Sequence, residues 1–335
     1  MRVLISTASN QPWVILPEGC SLCVPSNCPE KRGGLFYSNK SSTWYENQYS
    51  NTYSETYSYR SENTIADKGI FSLPVGANFG NHGTGVYGYD HVALNYPGSG
   101  TPALENQVVS GIATKEFYTG FFGLNPAATN FSATTSPAPS YMSSLKSQGF
   151  IPSLSYGYTA GNQYRLGKVL GSLTLGGYDK SLFEPNDLSI PFSPDYKYEL
   201  SVNIKSISMT TKGINRELSA TSLTAVIDST TPYLFLPLEV CRKFEEAFGI
   251  VYDQASGLYL VNDTLHRRLL QQSANVILTL TNSTEEIAVN VTLPYQAFDL
   301  VAEYPLVANS SRYFPLKRAT DNNQIILGRT FFQEA

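Results

Sequence analysis

Short apolar or alternating runs recur along the whole chain, and clusters of turn-forming residues separate them. The clearest runs cover residues 86–94, 171–177, 200–204 and 276–280. Runs of this length and pattern, bounded by Gly, Pro, Asn and Ser, are typical of β-strands. The pattern therefore predicts an all-β fold class with many turns.

Helices are expected to be few and short. Residues 139–146 and 237–248 are the best candidates, and in the second one apolar residues stand three and four positions apart after Pro237. Proline is favoured in the first turn of a helix. Residues 45–64 and 126–139 are rich in small or polar side chains, so we expect them to be surface excursions.

The chain contains one phrase twice. Residues 4–9 read Leu-Ile-Ser-Thr-Ala-Ser, and residues 226–231 read Val-Ile-Asp-Ser-Thr-Thr. Two apolar residues and a glycine follow each copy further along, at 121–123 and at 326–328. Because internal self-similarity indicates repeated structural units, we expect two related lobes with a cleft between them. The expected lobes are residues 1–182 and 183–335.

The two copies differ at the position that carries chemistry. The second copy has an acid, Asp228, where the first has Ser6. Two carboxylates that face each other across a cleft form a hydrolytic device. A serine hydroxyl can hold a water but cannot take its proton at neutral or acidic pH. The chain therefore keeps one half of such a device.

Composition and charge exclude several function classes. Charged residues make up 15% of the chain, and the net charge is −4. A nucleic-acid-binding surface needs clustered Lys and Arg, so we expect no nucleic-acid partner. No apolar run reaches the ~18 residues that a membrane-spanning helix requires, so no membrane span is expected.

Sequons point to the secretory pathway. Six Asn-x-Ser/Thr sequons occur, more than chance alone would give, although no signal peptide opens the chain. We therefore expect an extracellular, lumenal or cell-surface glycoprotein. The candidate glycosylation sites are Asn39, Asn130, Asn262, Asn282, Asn290 and Asn309.

Three of the four cysteines lie close together, in a loop rich in Gly, Pro and Ser. Cys20 and Cys23 begin like a zinc motif, but no second Cys or His pair follows at ligand spacing. We expect no metal, and instead one short-loop disulfide among Cys20, Cys23 and Cys28. Cys241 is expected either as a buried thiol or paired with a distant partner.

Taken in order, the motifs resemble those of the pepsin-like aspartic proteases. The family's first motif, Asp-Thr-Gly-Ser with Trp-Val a few residues on, is matched by Ser6-Thr7-Ala8-Ser9-Asn10-Gln11-Pro12-Trp13-Val14. Its second motif is matched by Asp228-Ser229-Thr230-Thr231. Supporting matches follow in the family's order and spacing at residues 40–44, 88–92, 122–124, 175–179 and 326–332. The many sequons and few charges are similar to filamentous-fungal members.

The resemblance implies a bilobal pepsin-like acid protease fold with a central cleft and few short helices. In such enzymes two carboxylates hold one water and share one proton, because like charges ~3 Å apart cannot both ionise. One acid acts as general base on the water while the other protonates the carbonyl oxygen. The resemblance also implies a monomer, without a cofactor, that binds a peptide or protein as substrate or ligand.

Compared with the family position by position, several of the expected cleft residues differ. The glycine of each family motif is replaced, by Ala8 in the first copy and by Thr230 in the second. The family's lid hairpin has a Tyr near its tip, and in the matching stretch, about 74–90, Asn78 or Phe79 takes that place. The expected cleft residues besides Ser6 and Asp228 are Thr7, Ala8, Ser9, Trp13, Asn78, Phe79, Ser229, Thr230 and Thr231.

These departures predict an aspartic endopeptidase homologue that is inactive or severely impaired, a pseudoenzyme. The alternative is a non-catalytic module, secreted or on the cell surface, that uses the cleft to bind peptides or glycans. Both ends are short for the family, so we expect the chain to be part of a longer protein that carries the missing signal peptide and any anchor.

Two rival enzyme classes are disfavoured. Residues 83–88 match the dinucleotide pattern Gly-x-Gly-x-x-Gly, but a strand-like run follows them where a helix would be needed. A serine hydrolase built on Ser6 would need a histidine and a third orienting group, and no Gly-x-Ser-x-Gly elbow exists. The histidines are His82, His91 and His266.

Overall fold

The structure is a computed structural model of the chain, and its described residues form two compact units, Met1–Tyr156 and Gly157–Ala335. Strands dominate both units, which confirms the all-β prediction. The described residues are 1–21, 27–46, 71–73, 83–95, 99–114, 119–129, 137–165, 169–194, 199–304, 306–321 and 324–335.

One mixed sheet organises the first unit. Within the described residues it has seven strands in the order β1-β7-β2-β6-β5-β3, and β4 pairs with β5. The strands are β1 Val3–Ser6, β2 Trp13–Ile15, β3 Tyr45–Glu46, β4 Phe71–Leu73, β5 Gly83–Ala93, β6 Ala103–Ile112 and β7 Gly120–Gly123.

The second unit contains three sheets among its described residues. Their orders are β17-β16-β10-β12-β21-β13-β20 with β11 beside β10, then β14-β15-β19-β18, then β8-β9. The strands are β8 Tyr156–Thr159, β9 Ser172–Leu175, β10 Ser201–Thr211, β11 Ile214–Ser219, β12 Leu223–Ile227, β13 Leu234–Leu236, β14 Val251–Asp253, β15 Leu258–Val261, β16 Asn275–Thr281, β17 Ala288–Pro294, β18 Leu300–Ala302, β19 Ser311–Phe314, β20 Leu316–Arg318 and β21 Ile326–Leu327.

The predicted strands are confirmed, because each apolar run named above falls within or overlaps β5, β9, β10 or β16. Both predicted helices are also present. The helices are α1 Cys28–Lys31, α2 Tyr141–Ser147, α3 Leu238–Phe248 and α4 Asp263–Gln272. Helix α3 begins after Pro237 and is capped at its C-terminal end by Gly249, whose φ of 70° is left-handed and suits a residue without a Cβ.

Sequence reasoning missed α4, because its pattern is mostly polar. Leu269 is its only buried residue, so the apolar periodicity that would reveal a helix is weak. The usable signal lay at its start, where Asn262 accepts a hydrogen bond from the Leu265 N–H over 2.9 Å and Asp263 stands in the first turn. Both features mark a helix N-terminus.

The main hydrophobic core lies in the second unit, and residues that precede position 183 also pack against it. Side chains of Tyr158, Ala160 and Tyr164 pack against this core, and the Ala160 N–H donates to the Phe332 carbonyl over 2.9 Å. Residues 157–182 are therefore grouped with the second unit. The lobe boundary that the sequence places at 182/183 stays a prediction.

The cysteine prediction is confirmed in its main point. Cys20 and Cys28, eight positions apart, form a disulfide, while Cys23 lies outside the described residues. Cys241 is a buried thiol on α3 that lies 3.4 Å from the Leu236 carbonyl oxygen. Burial raises the pKa of this thiol to about 12, so it is unreactive at ordinary pH.

Candidate functional site: two equivalent turns

The first turn follows β1 and contains Ser6. The backbone carbonyl of Ser6 accepts a hydrogen bond from the Leu124 N–H over 2.9 Å, and its hydroxyl accepts one from the Ser9 N–H, also over 2.9 Å. Ser6 is 0% exposed and Thr7 is 1% exposed. The serine hydroxyl thus closes its own turn.

Side chains further along the turn connect it to the sheet. Trp13 in β2 donates its indole N–H to the Ser9 hydroxyl over 2.7 Å, and its ring meets Tyr87 edge-on at 6.1 Å. Trp13 is buried in a small apolar cluster. It therefore acts both as core residue and as support for the Ser6 turn.

The second turn follows β12 and contains Asp228. The Asp228 N–H donates to the Leu327 carbonyl over 3.0 Å, and its carboxylate accepts from the Thr230 N–H over 2.8 Å. The Asp228 side chain is buried, with 2% of the residue exposed. A carboxylate at this depth needs such partners, because burial penalises its charged form.

The two turns have the same topology. Strand β7 pairs parallel with β1 and antiparallel with β2, so it lies between them. Strand β21 likewise pairs parallel with β12 and antiparallel with β13. The internal repeat found in the sequence is therefore confirmed as a repeat of structure, with Ser6 and Asp228 at equivalent positions. That the two turns face each other across a cleft stays a prediction.

Each turn rests on a glycine that no other residue could replace without movement. A Cβ on Gly123 would lie 2.4 Å from the Ser9 carbonyl oxygen. A Cβ on Gly328 would lie 2.5 Å from the Thr231 carbonyl oxygen and 2.2 Å from that of Tyr233. These contacts explain physically why an apolar-apolar-Gly motif accompanies each copy of the repeated phrase.

The replaced motif glycines leave no backbone strain. Neither Ala8 nor Thr230 is among the described non-glycine residues with positive φ. The larger side chains at these two positions are therefore compatible with the turns as they stand. Ala8 is exposed and Thr230 is half-buried.

Arg329 also contributes to the Asp228 turn, although no sequence motif marked it as a site residue. Burial raises the pKa of the Asp228 carboxyl, and the hydrogen bonds from Thr230 and the positive charge of Arg329 oppose that rise. The available sequence signal was an arginine directly after Ile326-Leu327-Gly328. Its effect depends on the fold, since 100 positions separate Arg329 from Ser229, whose carbonyl it binds.

Several expected site residues lie outside the described part of the chain, namely Asn78, Phe79, Cys23 and Asn130. The second half of the expected lid stretch lies in β5, which pairs antiparallel with β4 so that Leu73 is opposite Gly83. Of the expected glycosylation sites, Asn282 is half-buried, and four are exposed. The exposed ones are Asn39, Asn262, Asn290 and Asn309.

Comparison with known proteins identifies the family. The family model described as eukaryotic aspartyl protease matches residues 1–335, the whole chain. The chain belongs to this family. No curated protein matches it.

Solved structures support the same fold for this aspartyl protease homologue. It is similar to the aspartic proteinase from Irpex lacteus, with a TM-score of 0.59 and 17% sequence identity. The match covers 99% of this chain and 84% of the other. At this identity the similarity establishes the bilobal pepsin-like fold and nothing about activity.

The chemistry that these turns can support is acid–base chemistry on one carboxylate. Asp228 can accept or hold a proton, whereas the Ser6 hydroxyl can only donate or accept hydrogen bonds.

Within the described residues, no cluster of three or more His, Cys, Asp or Glu could hold a metal ion. None of the helices in that part of the chain is long and apolar enough to cross a membrane.

Proposed function

We propose that this chain is an aspartic endopeptidase homologue with absent or severely reduced peptidase activity. The observation that carries the proposal is the equivalence of the two turns. They share strand pairing and a supporting glycine, yet Asp228 supplies a carboxylate where Ser6 supplies a hydroxyl. The family mechanism requires two carboxylates that divide the base and acid roles.

Loss of one member of a catalytic pair lowers turnover by a large factor. Removing a single member of a catalytic set costs on the order of 10⁴–10⁶ in turnover. The Ser6 hydroxyl cannot replace the missing base, since it does not ionise at acidic or neutral pH. We therefore expect any residual hydrolysis to lie at least ~10⁴-fold below that of a chain with both acids.

The decisive experiment restores the missing acid. Four proteins would be assayed on denatured globin from ~pH 3 to 6, with and without a pepstatin-type inhibitor: the unmodified protein, Asp228→Asn, Ser6→Asp, and the double variant that combines the two substitutions. We expect inhibitor-sensitive cleavage from Ser6→Asp alone. Inhibitor-sensitive cleavage by the unmodified protein that disappears in Asp228→Asn would overturn the proposal.

A second candidate function is binding without catalysis. The Ser6 turn is closed by hydrogen bonds and remains buried although its acid is missing, so the framework of a peptide site is retained. In this role the protein would be a monomer that holds a peptide or a glycan. Calorimetric titration of the unmodified protein with a pepstatin-type peptide and with oligosaccharides tests the idea, and no heat with either would contradict it.

We also place the protein in the secretory pathway, outside the cell or on its surface. The Cys20–Cys28 disulfide forms in an oxidising compartment, and Asn39, Asn290 and Asn309 are exposed sequon residues. Expression behind a secretion signal in eukaryotic cells should give a product whose mass falls on endoglycosidase treatment. An unchanged mass would count against glycosylation.

A further inference from the structure

Arg329 binds the Asp228 turn at three successive carbonyl groups. Its guanidinium Nη1 donates to the carbonyl oxygens of Ser229 and Thr230, each over 2.8 Å. Its backbone N–H donates to the Thr231 carbonyl over 2.7 Å. The residue that follows the supporting glycine therefore fixes the whole turn after the acid.

Three tyrosines and one aspartate interact electrostatically with the Arg329 guanidinium. The groups that act electrostatically on Arg329 are Tyr158, Tyr233, Tyr313 and Asp228. Burial raises the pKa of each of these three phenols, so they are neutral at working pH. Asp228 is thus the one carboxylate among the groups found to act on Arg329 in the described part of the chain.

We propose that Arg329 is the positioning residue of Asp228: it clamps the turn that follows the acid and keeps a positive charge at that turn. The inference rests on the proposed role of Asp228 as the retained acid. Burial lowers the pKa of Arg329, but a guanidinium stays protonated in proteins, so the positive charge is present at every working pH. The hydrogen bonds that this guanidinium donates to the Ser229 and Thr230 carbonyl groups are charge-assisted, and such bonds are stronger than those between neutral groups.

This arrangement alters what restoring the first acid would achieve. A cation beside a carboxylate pair lowers both apparent pKa values, because it stabilises each ionised form. Among the described residues, a second cation near this cluster is Lys317, whose Nζ lies 4.8 Å from the Tyr233 ring centre. In a Ser6→Asp protein that has the carboxylate pair of the proposed function, we expect removal of Arg329 to move both limbs of the pH profile toward neutral pH.

The test measures the titration of Asp228 directly. Full-length protein labelled with ¹³C at the Asp carboxyl groups would be titrated by NMR, and Asp228→Asn identifies the signal. We expect Arg329→Gln to raise the pKa of Asp228, by up to about one unit. Arg216→Gln, at an exposed arginine on β11 of the same unit, is the matched control and should leave it unchanged. An unchanged Asp228 titration in a folded Arg329→Gln protein refutes the charge role.

A reciprocal measurement decides the matter if Arg329→Gln does not fold. In a pH titration of the unmodified protein, the ¹⁵N signals of the Arg329 guanidinium should shift as Asp228 ionises. The Asp228→Asn substitution should abolish that shift. Guanidinium signals that ignore the titration would overturn the proposal. Both measurements are independent of catalysis, so peptidase activity of the unmodified protein would overturn the proposed function and leave the Arg329 result standing.

Discussion

At the scale of single residues, close backbone contact decides which side chains the two turns accept. Gly328 lies so near the Tyr233 carbonyl that a Cβ would sit 2.2 Å from its oxygen. Backbone atoms of a sheet cannot move away as the end of a flexible side chain can. By contrast, a Cβ on Gly177 would meet no heavy atom within 4 Å, and this glycine does not have positive φ.

We expect Gly328→Ala to destabilise the protein by about 1–3 kcal/mol or more, because it overpacks a fixed site. Gly177→Ala is the matched control and should change stability by less than about 0.5 kcal/mol. Urea denaturation of both variants measures the difference. Equal stability of the two would show that the Asp228 turn tolerates displacement.

At the scale of elements, α4 shows how a polar helix is specified by its end. Asn262 accepts the Leu265 N–H at the first turn, and a cap of this kind is worth about 1 kcal/mol. The same Asn262 is a sequon residue, and a glycan on its side-chain nitrogen would leave the capping oxygen available. Capping and modification are therefore compatible at this position.

We expect Asn262→Ala to lower stability by about 1 kcal/mol, whereas Asn262→Asp keeps a capping oxygen and should cost much less. Thr264→Ala removes the sequon and leaves the cap in place. Thermal denaturation of the three variants, made without glycosylation, separates these effects. A loss as large for Asn262→Asp as for Asn262→Ala would contradict the capping role.

At the scale of the whole molecule, residues 157–182 pack with the second unit, which therefore begins at Gly157. Glu334 accepts a hydrogen bond from the Asn162 side chain over 3.0 Å and is also bound by Tyr164 and Arg165. Tyr158 packs against Phe332, with ring centres 5.3 Å apart. The segment therefore shares the core of the unit that ends at Ala335.

We expect a fragment of residues 157–335 to be more stable than one of residues 183–335. The difference should be about 3 kcal/mol, because full burial of one large apolar side chain contributes about 1.5–3 kcal/mol and the shorter fragment loses two partly buried tyrosines, Tyr158 and Tyr164. Guanidinium denaturation of the two fragments measures it, and Glu334→Ala in the longer one isolates the polar contribution. Equal midpoints would place the boundary after residue 182, where the sequence put it.

The sequence by itself determined the family, the strand-rich fold and the presence of a disulfide within the cysteine loop, although not which cysteines pair. The reason is that each depends on local pattern: alternation, motif order and cysteines close together in the chain. It also marked Ser6 and Asp228 as equivalent positions, because the repeated phrase is written out twice. Only the tertiary structure showed that Arg329 clamps the Asp228 turn and that residues 157–182 belong with the second unit. Those facts rest on contacts between residues about 100 or more positions apart, and chain pattern alone does not record which distant groups folding brings together.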